Sequence, residues 1–464
     1  MLRLTNSLSR SKEDFVPINE GHVKMYSCGP TVYSYQHIGN MRAYIFVDSL
    51  RRVLKYNGYS IEGVMNVTDV GHLTSDEDEG EDKMEVASKR EQKSPKEIAT
   101  YYAGIFFDDL KSMLVDLPEH ITYATEYIQQ MIDFIKGLEA KGYTYIIDDG
   151  VYFDVKKFSG YGQLSDKDLD KTYEGRIEEN TQKHHPFDFA LWKFVEPNHI
   201  MKWDSPWGVG CPGWHIECSS MGRALLGDRF DIHTGGIDHR TVHHEDEIAQ
   251  NDAYSSHRVV NYWIHNNFLQ VDGGKMSKSL GNCYTLKDLK EKGFSPLEFK
   301  YFCLNTHYSK TLNFTFDAMR SSGAGFKALK NLIAEHYAGT SKLSDEMKAK
   351  YEGEFLSAIN DDLNIPLAIG DMFSMLKAEK PSRDVYDLVQ KFDRALGLAL
   401  DIDSISQKEE EAPLPQEVAE LLEERNKARS EKNWAKSDEL RDKIMELGYL
   451  VKDSKDGTTL EKRR

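Results

Sequence analysis

At 464 residues the chain is too long for one ordinary domain and has the length of about three. With 40% hydrophobic and 29% charged residues it reads as a globular protein with a real core, and no apolar run approaches the ~18 residues that cross a bilayer. The net charge of −17 weighs against phosphate binding, which wants lysine and arginine, unless a local basic stripe overrules it.

The opening MLRLTNSLSRSKEDF lacks the apolar stretch of a secretory leader. Five cysteines, Cys28, Cys211, Cys218, Cys283 and Cys303, are few, odd in number and scattered. Together these features predict a reduced cytoplasmic protein with no membrane segment, its thiols left for metal or packing.

Taken in chain order, HVKMYSC (22–28) reads as a strand ending at Gly29-Pro30. Apolar side chains at helical spacing follow over 41–56, from Met41 to Leu54, and Asn57-Gly58 closes that helix. IEGVMNV (61–67) is the next strand. A strand–helix–strand opening predicts an α/β fold with a doubly wound, Rossmann-like parallel sheet. The charged stretch 75–96 reads as a solvated loop or frayed helix, and ~97–142 as helical. Residues 143–210 are mixed and predict an inserted subdomain. FDIHTGG (230–236) is a strand and loop, HHEDEIAQNDAY a helix, and VNYWIHNNFLQV (260–271) a strand. From ~320 the pattern is helical, with SQKEEEAPLP (406–415) as a linker to a small terminal module.

Three motifs carry chemistry. His37-Ile38-Gly39-Asn40 lies at the turn from first strand to first helix, where free backbone N–H groups and the helix dipole attract phosphate. Gly39 lets a nucleotide approach the backbone, and an imidazole can donate to a phosphate. Lys275-Met276-Ser277-Lys278-Ser279 follows Gly273-Gly274 on a mobile loop, and its two lysines suit the charge that develops on a leaving pyrophosphate. The third constellation joins Pro212-Gly213-Trp214-His215-Ile216-Glu217-Cys218 to Gly235-Gly236-Ile237-Asp238 and His243-His244-Glu245-Asp246-Glu247. His243 and Glu247, four apart on a helix, share a face. With sulfur from Cys218 and Cys28 they make a plausible zinc set. Spacing alone leaves Cys211 as a rival to Cys28, and His215, His233, His239 and His244 as rivals to His243.

The HIGN turn, the distant KMSKS and the CGPT, PGWHIEC and HHEDE segments together resemble the cysteinyl-tRNA synthetases, a family of class I aminoacyl-tRNA synthetases. The resemblance spans nearly the whole chain. It implies cysteine–tRNA ligase activity: L-cysteine and ATP, taken with Mg²⁺, give cysteinyl-adenylate, and the cysteinyl group passes to the 3′ end of tRNA(Cys). His37, Asn40, Lys275 and Lys278 are then catalytic, with Asn40 where the usual motif ends in histidine. Gly39, Gly236, Asp238 and Lys278 bind ATP, with Asp238 on the ribose hydroxyls. Thr31 and Trp214 contact the amino acid. One zinc ion is assigned to Cys28, Cys218, His243 and Glu247, where it takes the substrate thiolate and discriminates against serine.

The same resemblance divides the chain. Residues 1–110 are the first half of the catalytic domain and 111–210 a connective insertion. Residues 211–272 are the second half with the zinc site, 273–322 the KMSKS loop and stem-contact region, and 323–405 a tRNA-binding helical bundle. Residues 414–464 are an anticodon-recognition module, and the expected state is a monomer. Val70-Gly71-His72 and Arg240-Thr241-Val242 depart from the family pattern. In the terminal module, Arg425 to Lys443 holds seven basic against four acidic residues, a local bias suited to phosphate. Trp434 reads either as a base-stacking ring or as a core tryptophan. Two other readings compete: a ligase joining cysteine to an amino sugar, which would lack the terminal module, and an inactive RNA-binding paralogue.

Overall fold

The computed structural model describes residues 1–71, 82–165, 167, 169, 181–276, 281–406, 416–431, 433–454 and 457–462. The chain opens with a small antiparallel pair, β1 (Arg3–Asn6) and β2 (Ser11–Asp14). Then come β3 (His22–Ser27), α1 (Ile38–Tyr56), β4 (Ser60–Val67), α2 (Lys83–Glu91), α3 (Pro95–Ser112) and β5 (His120–Tyr123). The charged stretch thus runs into helices with firm caps: the Asp82 carboxylate accepts from Met84 and Glu85 N–H at the start of α2, and Ser94 forms a capping box with Glu97 at the start of α3. The ~97–142 stretch is not helical throughout. The helical run ends at Ser112, where Leu114 turns left-handed with φ 53°, and His120–Tyr123 pairs in parallel with Val64–Val67. A four-residue strand at a sheet edge is too short to show a period.

A second layer follows. α4 (Ile128–Ala140) leads into β6 (Thr144–Ile147), β7 (Gly150–Phe153), β8 (Phe189–Phe194) and β9 (Gly210–Pro212), an antiparallel four-stranded sheet in that order. The chain returns through α5 (Trp214–Leu226), β10 (Phe230–Gly236), α6 (His243–Ser255) and β11 (Val260–Asn266). The main sheet has the order β11-β10-β3-β4-β5, all parallel, with both faces covered by helices, so its strands are almost wholly buried. The long 260–271 strand is broken at Asn267-Phe268, and β12 (Leu269–Val271) pairs instead with a later strand.

α7 (Leu286–Glu291), α8 (Pro296–Leu304) and β13 (Leu312–Phe314), the partner of β12, join the catalytic half to the helices α9 (Phe316–Tyr337), α10 (Asp345–Asn360), α11 (Ile365–Ala378), α12 (Arg383–Leu396) and α13 (Ile402–Ser406). Phe46 and Leu50 of α1, Phe299 of α8 and Val389 of α12 share one core. At that seam Lys300 Nζ lies 2.7 Å from Asp48 Oδ2, both fully buried, and Arg52 donates to the same carboxylate. The terminal module packs α14 (Gln416–Ser430) and α15 (Trp434–Glu446) with a hairpin, β14 (Tyr449–Ser454) and β15 (Gly457–Lys462). The hairpin is absent from the sequence reading, because a two-stranded ribbon with one half-buried face carries few apolar markers. Among the described residues no helix is long and apolar enough to cross a membrane.

Candidate active site and metal centre

The sheet order reverses between β3 and β10. The chain moves outward from β3 through β4 to β5, then returns to lay β10 against the other side of β3. Loops leaving neighbouring strands in opposite directions open a crevice at their carboxyl ends, the usual ligand site of such sheets. Cys28 continues β3 there, its N–H donating to Thr234 O of β10 at 3.1 Å. A cleft of about 450 Å³ follows, walled by Thr31, His37, Gly39 and Asn40 from the β3 side and by Trp214, Gly236 and Asp238 from the other.

His37 is the N-cap of α1. Its Nδ1 accepts from Asn40 N–H, and Asn40 Oδ1 accepts from His37 N–H, both at 3.2 Å, a capping box. Asn40 therefore fixes the start of the helix whose free N–H groups face the cleft. A Cβ on Gly39 would sit 2.3 Å from Met276 Cε, so glycine lets the methionine of the downstream lysine motif seat on the HIGN turn. Lys275 is exposed and its carbonyl accepts from Asn282 Nδ2. Lys278, with Ser277, Ser279 and Leu280, lies outside the described residues. Asp238 Oδ1 would crowd any Cβ at Gly236, at 2.3 Å.

At the cleft floor two overlapping groups of metal-ligating atoms converge within 4.8 Å: Cys28, Cys218, His243 and Glu247, and Cys28, His233, His244 and Glu247. Cys28 lies at the end of β3, Cys218 on α5, and His243 and Glu247 one turn apart on α6. Neither group contains Cys211, which sits on β9 opposite Lys193. His243 Nε2 lies 3.0 Å from Glu247 Oε1, yet that oxygen accepts no hydrogen bond although it is buried. An imidazole nitrogen and a carboxylate oxygen this close, grouped with two thiols within 4.8 Å, make a donor set of the kind that holds a buried cation. The residues thus fit a resident tetrahedral cation.

The surroundings hold these groups in place. Glu247 Oε2 lies 2.8 Å from His233 Nε2. His243 Nδ1 meets His215 Nδ1 at 2.9 Å, and His215 Nε2 lies 3.3 Å from Asp246 Oδ2. Trp214 stacks on His243 at 4.4 Å. Burial would raise the Glu247 carboxyl, but His233 and His243 hold it down at about 2. Burial works against a charge on His243 too, yet Glu247 and Cys218 carry its pKa well above the ordinary value. Burial pushes both thiols up, Cys218 further because it also hydrogen-bonds Cys28. His244 and His265 are driven well below by burial and by the other rings.

Several partners were invisible in the sequence. The middle acids of HHEDE bind the insertion: Glu245 accepts from the backbone N–H of Gly162, Leu164 and Ser165, and Asp246 from Tyr161 OH. Arg240, where the family pattern is broken, donates to Leu164 O of the same loop. Thr68, on the cleft wall, donates to buried Glu217 at 2.7 Å. No local periodicity marks such pairs, since their partners are ~80–150 residues away.

In the terminal module Trp434 is 59% exposed, so it is not a core residue. The basic bias is largely spent on ion pairs. Arg425 and Arg429 both meet Asp453, Arg441 meets Asp438 and Asp442, and Lys443 meets Glu439. Lys432 lies outside the described residues.

A doubly wound parallel sheet with a HIGN helix cap at its switch point, Met276 of the KMSKS motif seated on that turn and a helical C-terminal half defines a class I aminoacyl-tRNA synthetase. Residues 14–324 match the family described as tRNA synthetases class I (C) catalytic domain, and residues 411–459 the cysteinyl-tRNA ligase anticodon binding domain. The chain belongs to the cysteine–tRNA ligase family. It is 40% identical to the cysteine–tRNA ligase of Treponema denticola, over 99% of each chain. It is 40% identical to that of Chlorobaculum tepidum, over 100% of this chain and 99% of the relative. Among solved structures, Mycobacterium tuberculosis methionyl-tRNA synthetase bound to methionyl-adenylate shares the fold, with a TM-score of 0.56 and 12% identity over 81% of this chain and 88% of that one.

Proposed function

We propose that this chain activates L-cysteine with ATP and transfers the cysteinyl group to the 3′ end of tRNA(Cys). The observation that carries the reading is the pair of buried thiols, Cys28 and Cys218, grouped with His243 and Glu247 at the floor of a nucleotide-type cleft.

Of the two overlapping ligand groups, the one with Cys218 and His243 is the zinc set. Cys28, Cys218 and His243 all reach the cleft wall, whereas His233 and His244 do not. His244 is also engaged on both ring nitrogens, by Cys28 Sγ at 3.2 Å and by His265 at 2.7 Å. Bound there, zinc supplies a site that favours a thiolate over a serine hydroxyl, which selects the substrate without an editing step. Trp214 closes the pocket over the amino acid, and Thr31 offers a hydroxyl to its polar end.

The cysteine carboxylate attacks the α-phosphate of ATP in line and expels pyrophosphate. The N–H groups opening α1, the His37 ring, Lys275 and Lys278 meet the charge that builds on the phosphates. Asp238 receives the ribose hydroxyls, and Gly39 and Gly236 leave room for the nucleotide backbone. The terminal ribose hydroxyl of tRNA then attacks the acyl carbon, and AMP leaves. No side-chain nucleophile is required, so the protein contributes positioning and charge stabilisation. The two catalytic halves, the first extending past 110 to include β5 and the second at 211–272, hold the reactants, with the insertion between them. The 273–322 segment brings the lysines, and 323–405 and 414–464 grip the tRNA.

Charging of total tRNA with labelled cysteine by the purified protein tests this. Acid-precipitable label, dependent on ATP, is the expected result. Cysteine-dependent pyrophosphate exchange without any label on tRNA would mean another acceptor, and absence of both would end the reading.

A further inference from the structure

The two rims of the cleft differ in kind. On the β10–β11 side lie Gly236, Asp238 and Asn267, the nucleotide side under the proposed function. On the β4–β5 side the chain leaving β3 crosses the strand ends and packs Val32 with Val67 and with Met84, Ile98 and Ala103 of α2 and α3, a small core of its own.

Above this core stand Tyr35 and Tyr101, 42% and 45% exposed, with their hydroxyls 3.1 Å apart. Each ring meets buried Tyr102 edge-on, at 5.2 and 5.1 Å. Tyr102 is itself anchored, its hydroxyl donating to Glu91 at 2.6 Å. Lys93 Nζ lies 4.8 Å over the Tyr101 ring and 3.7 Å from Glu91. Lys83 lies 6.0 Å over Tyr33 and reaches the cleft itself. Two braced, solvent-facing rings flanked by ammonium groups do not serve a core, and they sit across the sheet from the nucleotide side.

Adenylate formation as proposed above uses none of these tyrosines and lysines, but the second step has a use for them. An unpaired, polyanionic strand must thread its last nucleotide into the cleft. Single strands are held by stacking on aromatic faces with cations along the backbone. We propose that Tyr35 and Tyr101 form the stacking platform for the single-stranded 3′ end of tRNA, with Lys83 and Lys93 taking its phosphates. The inference rests on the tRNA-charging reading and adds the path by which the acceptor enters.

The test is a cycle with the full-length enzyme, measuring the dissociation constants of intact tRNA and of the same tRNA trimmed of its last three nucleotides. Tyr35→Ala with Tyr101→Ala should weaken intact tRNA roughly 5- to 100-fold, the range for one or more bases lost from an aromatic stack, and leave the trimmed tRNA unchanged. Tyr35→Phe with Tyr101→Phe should keep the wild-type difference, since the rings remain. If the double alanine variant does not fold, Tyr101→Ala alone repeats the test at the more exposed ring. Equal weakening toward both tRNAs, or none toward either, would overturn the platform. A wild type that charges no tRNA sinks the parent reading; one that charges while the cycle shows no coupling sinks the platform alone.

Discussion

The two walls of the cleft are built on opposite principles. The wall that groups the candidate metal ligands is buried and over-determined. Cys28, Cys218, His243 and Glu247 sit on three separate elements, and His215, Asp246 and Tyr161 brace them from behind. The wall that meets the phosphates under the proposed function is exposed and sparse: Lys275 stands in solvent, and Gly39 leaves a seat for Met276. Under the proposed function this site must refuse serine, and such a site has to be preorganised because its selectivity comes from fixed ligand geometry. Under the proposed function the other site releases pyrophosphate on every turnover, and an open surface suits that release.

If that contrast holds, the largest losses follow from the buried wall. Cys218→Ser, His243→Ala and Glu247→Ala should each lower metal affinity by more than the ~10–100-fold typical of outer partners. His233→Ala and Cys211→Ser should keep near-stoichiometric metal. Metal content after dialysis checks all five, and retention in His243→Ala with loss in His233→Ala would hand the site to the other ligand group. Next comes the exposed wall. Lys278→Ala should slow cysteine-dependent pyrophosphate exchange by roughly 10²–10³ with metal content intact, and an unchanged rate would remove Lys278 from the chemistry.

Smaller effects sharpen the edges of the comparison. Asn40→Ala removes one half of the α1 capping box at a cost of about 1 kcal/mol. Exchange should fall several-fold while circular dichroism stays unchanged; a loss as deep as that of Lys278→Ala would make Asn40 a direct phosphate ligand. The smallest effect concerns α6, the helix beneath the buried wall. Burial raises the Asp252 carboxyl from 3.8 to about 6, although its Oδ1 accepts Val259 N–H. A raised acid binds its proton more tightly when folded. Its contribution is therefore full below pH 3.8 and lost as pH rises through 6. The neutral isostere Asp252→Asn escapes that loss, so its stability advantage should grow by about 1 kcal/mol between roughly pH 5 and pH 8, as thermal midpoints would show. A pH-independent difference would mean the carboxyl titrates normally.

How much was legible follows from where the signal resides. β3, α1 and β4 were readable because burial on regular elements leaves a period, whereas the short β1 and β2 were not read. His243 and Glu247 were readable as a pair because a helix places i and i+4 on one face. β5 and the terminal hairpin were not: short strands owe their existence to partners far along the chain. The histidines show the same boundary. His215, His233, His243 and His244 are alike as residues, and their separate roles depend on what each ring nitrogen meets, from His215 on His243 to His265 on His244. Seven basic residues between Arg425 and Lys443 suggested a phosphate surface, yet four of them are ion-paired within the module.

By itself the sequence determined the chemistry available to this protein: a glycine-bearing turn before a helix, two lysines on a loop, two thiols, an imidazole and a carboxylate. These are local facts, set by residue type and spacing. Tertiary structure decided which of them meet. The parallel pairing of β10 with β3 brings Cys28 beside residues some 190 to 220 positions later, and it leaves Cys211 out on β9. It also stands Tyr35 next to Tyr101, which no reading along the chain would join. Contacts of that range carry no periodic signature, because they arise only when separate elements bury their apolar faces against one another.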